Sequence, residues 1–312
     1  MTSNVSTIEQ QNQMLQYLQQ MQAQVTNLST QISTGQNSQT YAGIAPQAAE
    51  VVDLTATQSL QQGYINTINT VNTSLQTQSL ALQNIAKIAT SFQGTLANDA
   101  FSPDGASVQE TAQQLLTELG SYLNTQNGNT YIFSGNQTGT PTFNPAGLPA
   151  VNSNPLLSAI PLSTAYYGGD NGIASATVDN NVNLQYGIDG NNTAFAQIIQ
   201  VLNFFANDST PLSQANANDV ANVNTGQQLL GNAAEAVQQL VATNGEQQAD
   251  LNQLSTAHQN AITLAKTSLN NIEQVDSATA ITQLNTLQTQ LEASYQTINV
   301  LQSLSLAKYL TG

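Results

Sequence analysis

The chain has 312 residues, no cysteine, no tryptophan and no arginine, with three lysines and one histidine against 18 acids, a formal charge of −15. Three scattered lysines cannot form a basic groove for nucleic acid, thiolate and disulfide chemistry are excluded, and one histidine excludes a multi-histidine zinc site within the chain. Only 7% of residues are charged, so polarity rests on 42 Gln, 36 Asn, 25 Ser and 36 Thr, well below the usual quarter or so of charged residues.

The first predicted element is a helix. Leu15, Leu18, Met21, Val25, Leu28 and Ile32 step by threes and fours, the spacing that puts side chains on one helical face. The stripe stops at Ser33-Thr34-Gly35, a polar end with glycine near the C-cap. A loop follows to Pro46. The second stripe, Ile65, Ile68, Val71, Leu75, Leu82, Ile85, Ile88, Phe92 and Leu96, is heptad-like with a polar slip at Gln78. A helix from about Pro46 to Asn98 would be about 75 Å long if continuous. Phe101-Ser-Pro-Asp-Gly105 reads as a turn. Val108, Ala112, Leu115, Leu119 and Tyr122 predict a shorter helix closed by Gln126-Asn-Gly128.

The middle changes character. All eight prolines lie between Pro46 and Pro211, and Tyr131, Phe133 and Phe143 surround Gly135, Gly139 and Pro141. Val182, Leu184, Tyr186 and Ile188 alternate as on one face of a strand, so about 130–190 reads as short strands and loops. Phe195, Ile198, Ile199, Leu202 and Phe205 resume a helical period. Two long stripes follow: Val237, Val241, Leu251, Leu254, His258, Ile262, Ala265, Leu269 and Ile272, then Ile281, Leu284, Leu287, Leu291, Tyr295, Ile298 and Leu301. The expected fold class is mainly α: long antiparallel N- and C-terminal helices forming a coiled-coil-like rod, with a small β-containing insert between them. Narrow stripes with little charge suit helices packed on several sides.

Three blocks carry a family resemblance. Gln31-Ile-Ser-Thr-Gly35 precedes Gln36, Asn37, Ser38 and Tyr41-Ala-Gly43; Tyr131-Ile-Phe-Ser-Gly135 precedes Thr140-Pro-Thr-Phe143; Ile272-Glu-Gln-Val-Asp276-Ser-Ala278 leads through Leu291-Glu-Ala-Ser-Tyr295 to Tyr309-Leu310. In order and distance from the ends, they resemble the bacterial flagellin family, including its hook–filament junction members. The resemblance covers roughly residues 1–135 and 195–312. It implies segments 1–42 (inner-tube assembly helix), 43–137 (rod helices and hairpin), 138–194 (variable β-rich insert), 195–274 (rod helices) and 275–312 (C-terminal assembly helix). It further implies a non-enzymatic structural subunit, exported unfolded through the flagellar type III channel without a cleavable signal. Its partners would be copies of itself, other flagellar axial proteins and an export chaperone, with no nucleic acid and no membrane insertion. The expected assembly interface is Leu15, Leu18, Met21, Val25, Leu28 and Ile32 with Leu284, Leu287, Leu291, Tyr295, Ile298 and Leu301.

Two departures stand out. Where many members carry two arginines and a glutamate read by an animal immune receptor, this chain has Asn84, Ala86 and Lys87, so that recognition is not expected. The charged run after Ser-Thr-Gly is replaced by Gln36, Asn37, Ser38 and Gln39, which points to subunit contacts made by amides and apolar packing.

The remaining candidates have ordinary readings. No stretch of 18 apolar residues exists, and residues 1–10 lack the basic start and apolar core of a secretory signal, which places the chain in the cytoplasm or on a signal-independent export route. His258 at a stripe position reads as a packed helix residue. Asp170-Asn-Gly172 and Asp179-Asn-Asn-Val-Asn183 read as turns; an EF-hand starting at Asp179 would have Leu184 and Gly190 where glycine and glutamate are required. Glu110 with Glu118, and Glu246 with Asp250, read as solvated helix faces. The sequons at Asn136, Asn191 and Asn207 read as incidental. The rival function from the same sequence is a secreted coiled-coil adhesin or tip protein binding a host or polysaccharide ligand through the insert.

Overall fold

The computed structural model describes residues 2–102, 106–151, 155–208 and 211–310; the side chains of 2–8, 10, 11, 106, 107 and 301–310 lie outside the description. Six α-helices are described: α1 (Thr2–Thr34), α2 (Ala48–Asn98), α3 (Ala106–Leu123), α4 (Thr193–Asn207), α5 (Ala217–Glu273) and α6 (Ser277–Leu310). Between α3 and α4 lie two antiparallel hairpins, β1 (Gln126–Asn127) with β2 (Thr130–Tyr131), and β3 (Ser175–Asp179) with β4 (Val182–Gln185). The fold is mainly α with a small β-containing middle. The second stripe is one helix of 51 residues, and the Pro103–Gly105 part of the turn after it lies outside the described residues.

The chain divides into two compact units, residues 1–60 with 260–312, and residues 61–259. In the terminal unit α1 and α6 run antiparallel. Gln22 Nε2 donates to Tyr295 Oη at 2.6 Å, and nearer the chain turn Gln36 bridges Gln274 in antiparallel register. α1 ends because Gly35 takes φ +71°, the left-handed backbone that glycine adopts without steric cost, and its N–H closes on Gln31 O at 2.8 Å. α6 starts because Asp276 caps it: Oδ1 accepts from Ala278 N (3.1 Å) and Thr279 N (3.2 Å), and Oδ2 from Thr279 Oγ1 (2.8 Å). These bonds hold the Asp276 carboxyl below the usual carboxylate range.

The larger unit is organised around α4. Eleven of its 15 residues are buried; Thr193, Gln197, Gln200, Asn203 and Asn207 form one polar face, and the remaining sides are apolar and enclosed by neighbouring elements. Phe195, Ile198, Ile199, Leu202, Phe204 and Phe205 meet Leu82, Ile85, Phe92 and Leu96 of α2, Val108, Ala112 and Leu119 of α3, and Leu230, Ala233 and Val237 of α5 in one core. The rings pack edge to face: Phe92 on Phe205 at 5.7 Å and Phe133 on Phe195 at 5.8 Å between centroids. A second, smaller core joins Ile68, Val71 and Leu75 of α2 to Leu251 of α5 and Val178 of β3.

Within this unit α2 and α5 are antiparallel, joined by amides along their length: Gln93 Nε2 to Gln227 O (3.0 Å), Asn244 Nδ2 to Gln78 Oε1 (3.4 Å) and Asn72 Nδ2 to Asn252 Oδ1 (3.3 Å). Gln78 and Asn244 are 2% and 1% exposed and stand between the two cores. The slip at Gln78 is thus a buried polar layer, also tied through Gln78 Nε2 to Ile132 O at 3.5 Å.

One strand expectation is corrected in part. Leu184 and Tyr186 do face the second core, but Val182 is 44% exposed. The register shifts between Thr177 and Asp179, and Val182 pairs with Asp179 at the turn end of the hairpin, where a bulge turns side chains away from the shared face.

Candidate assembly surface

α1 carries one charged residue in its 33, Glu9, and α6 carries Glu292 and Lys308. With so little charge, contacts along these helices must be apolar or amide-mediated. The Gln22–Tyr295 bond sets their level. One turn along α1 in either direction are Leu18 and Val25; one turn along α6 are Ile298 and Leu291, on the antiparallel count. The pairing therefore brings the two stripes to each other.

It does not cover them. Leu18 and Leu291 are buried at 6% and 8% exposure, whereas Leu15 and Tyr295 stand 52% and 44% exposed. Met21, Val25, Leu28, Ile32, Leu284, Leu287 and Ile298 are half-buried. Leu301 lies in α6 among the side chains outside the description. A two-helix pair shields one sector of each helix and leaves its flanks in water, which is why two stripe residues are buried and most are not.

Other large apolar residues of the terminal unit lie outside the predicted stripes. Tyr17, Val52, Leu60, Leu264 and Val300 are also exposed. Each lies off the stripe of its own helix, so a search for one apolar face does not find it. The signal present was simply a large apolar side chain flanking a stripe. Of the fourteen large apolar side chains exposed among the described residues, nine belong to the terminal unit, which is the shorter one. The exposed large apolar side chains are thus concentrated in the terminal unit.

The two blocks that punctuate the terminal helices meet each other. Asn37 N donates to Glu273 O at 2.7 Å, Val275 N to Gly35 O at 3.1 Å, and Asn37 Nδ2 to Ile272 O at 2.8 Å. Gln31 Nε2 holds Asn37 O at 2.8 Å. Ser-Thr-Gly35 and Val275-Asp276 thus form one hydrogen-bonded corner, far apart in sequence, that fixes where α1 stops and α6 begins. The third block, Tyr131–Gly135, is set in the larger unit: Phe133 and Ser134 are fully buried, and Gly135 takes φ +68° where a Cβ would lie 2.2 Å from Asp170 O.

The titratable side chains of the larger unit are structural in setting. His258 is 4% exposed; Nε2 lies 2.9 Å from Val178 O, Nδ1 contacts Gln61 Oε1, and Tyr64 packs at 5.2 Å between ring centroids. It joins α2, α5 and β3. Asp170 Oδ1 accepts from Asn136 N (2.7 Å) and Gly172 N (2.9 Å), and Asp179 Oδ1 from Asn180 N (2.7 Å), which is turn chemistry. Burial, then the charges of Asp189 and Asp170, push Tyr167 up to about 12; burial and Asp189 push Tyr166 up further. Burial also raises Asp189. Among the described residues no group of three or more acidic, histidine or cysteine side chains is placed to hold a metal, and no helix is long and apolar enough to cross a membrane.

No protein-family model and no curated protein matches the chain. Solved structures do. A chain assigned as a flagellar hook-associated protein from Vibrio parahaemolyticus superposes with a TM-score of 0.58 at 16% identity, over 72% of this chain and 96% of that one. FlgL of Bacillus cereus aligns over 73% of this chain and 99% of that one, at 14% identity and a TM-score of 0.40. This chain shares the fold of the Vibrio protein.

Proposed function

We propose that the chain is a structural subunit of the bacterial flagellum, a member of the flagellin and hook-associated group, which polymerises through its terminal helices into the filament or the hook–filament junction. The observation that carries this reading is the terminal unit: two nearly uncharged antiparallel helices, locked at one corner by the Ser-Thr-Gly35 and Asp276 blocks, with their apolar flanks exposed. The fold likeness to a flagellar hook-associated protein supports it. In this reading Leu15, Met21, Val25, Leu28, Ile32, Leu284, Leu287, Tyr295, Ile298 and Leu301 extend the α1–α6 pairing, in which Leu18 and Leu291 are each buried, to neighbouring subunits.

The role is non-enzymatic. The subunit leaves the cell by the flagellar export route, escorted beforehand by a chaperone that covers the same apolar helices. Segments 1–42 and 275–312 assemble, 43–137 and 195–274 support them, and the insert 138–194 faces solvent. Burying each exposed flank contributes several kcal/mol at about 25 cal/mol per Å², enough to drive association once many subunits add cooperatively.

The test is electron microscopy of purified protein offered flagellar hooks as seeds. Long helical tubes identify a filament subunit; a short collar confined to hook ends identifies a junction protein. A discrete soluble oligomer that ignores the seeds overturns both, and favours an adhesin.

A further inference from the structure

The chain contains three Asn-Gly pairs, at 127–128, 171–172 and 244–245. In this dipeptide the next backbone nitrogen can attack the side-chain amide with least hindrance, because glycine has no side chain to obstruct it. The fold treats the three differently. Asn244 is 1% exposed within α5 and donates to Gln78, and helical hydrogen bonding holds the Gly245 backbone. Asn127 is half-buried in the β1–β2 hairpin, with its amide nitrogen on Ser74 Oγ at 3.1 Å.

Asn171 is exposed. Its Oδ1 accepts from Asn191 Nδ2 at 3.2 Å, which withdraws electron density from the amide carbon. No described acceptor holds its Nδ2, the group that would leave. The would-be nucleophile, Gly172 N–H, donates to Asp170 Oδ1 at 2.9 Å. That carboxylate is fixed from behind by Asn136 N at 2.7 Å and by the close approach of Gly135. A base, a nucleophile and an activated electrophile therefore stand on consecutive residues.

We propose that Asn171 is a self-modification site, converted to aspartate and isoaspartate by the protein's own groups. Asp170 Oδ1 takes the proton from Gly172 N as the bond from that nitrogen to Asn171 Cγ forms. The Cγ–Nδ2 bond breaks, and the amide nitrogen leaves as ammonia with that proton. Water then opens the cyclic imide at either carbonyl. One water enters, one ammonia departs, and nothing is oxidised or reduced. The product adds a negative charge beside Asp170; the isoaspartate form also lengthens the backbone leading into β3. The insert loop would so acquire an irreversible mark of elapsed time.

The test incubates the full chain at neutral pH, folded and in urea, and follows all three asparagines by peptide mass spectrometry with an isoaspartate assay. In urea each pair shows only its intrinsic reactivity. The folded chain is expected to react at Asn171 at least as fast as in urea, with Asn127 slowed and Asn244 slowed most. Asp170→Asn and Asn191→Ala, each checked for intact helix by circular dichroism, are expected to slow Asn171 several-fold and leave Asn127 unchanged. A folded Asn171 slower than in urea overturns the proposal without recourse to any variant. So does an Asp170→Asn chain whose Asn171 reacts as fast or faster.

Discussion

Single residues set the stops and the register of this molecule. Asp276 illustrates a helix start made by a side-chain cap. Its folded carboxyl lies below the ordinary range, so the ionised form is the one bound, and its contribution is present above that range. Acidification through the lowered range removes it. The expected outcome is local fraying: amide exchange at Ala278 and Thr279 accelerates as pH falls, and Asp276→Ala produces the same acceleration at neutral pH. Asp276→Asn, which keeps a neutral acceptor, should abolish the pH dependence. Register is set by the Gln78–Asn244 layer. Replacing Asn244 by Leu leaves the buried Gln78 Oε1 without its donor, at a cost of about 1–3 kcal/mol, while replacing both by Leu recovers much of it. A double-mutant cycle in urea unfolding with no coupling between the two positions would refute that role.

At the scale of elements, α4 and the hairpins show how the middle of the chain is held. α4 has its first turn capped by Asn192, whose side chain accepts from Ala194 N at 2.9 Å, and then buries nearly every side chain. Phe195→Ala is expected to destabilise the larger unit by about 3–5 kcal/mol, the usual cost of emptying a phenylalanine site in a packed core. Thermal unfolding followed by near-ultraviolet circular dichroism should show the loss. The long helices were legible in sequence, and α2 ends at Asn98 as its period predicts. The extent of α5 was not. Its period became readable only at Val237, although the helix starts at Ala217. In its first third, Val223, Leu230 and Ala233 are buried among Asn222, Gly226 and Gly231. There small residues let neighbours approach: a Cβ on Gly226 would sit 3.0 Å from Leu96 Cδ1. A close contact of this kind breaks the apolar stripe that periodicity relies on.

At the scale of the whole molecule, the two units differ in what they complete within one chain. The larger unit closes two cores; the terminal unit buries few side chains and keeps most of the exposed apolar ones. Removing residues 1–30 is expected to leave a folded, soluble monomer with the larger unit's cores intact and no polymerisation on seeds; normal filaments from that truncation would refute assembly through α1. Because α1 and α6 carry so little charge, assembly should depend weakly on ionic strength between low and moderate salt, where screened ion pairs would lose much of their strength. Light-scattering traces that collapse over that range would contradict amide and apolar contacts as the joining force.

The sequence by itself determined the helix–insert–helix order, the stripes of α1 and α6, the stop at Gly35 and the exclusion of thiol and nucleic-acid chemistry. Those depend on local spacing, on the backbone freedom of one residue and on which side chains exist at all. The tertiary structure decided that α4 is the centre of the larger core, that Gln78 has a partner 166 positions away, and that His258 joins two helices to a hairpin. It also decided that the Gly35 and Asp276 corners are one site. Each of these is a contact between residues remote in sequence, and periodicity within a segment carries no information about what that segment will meet.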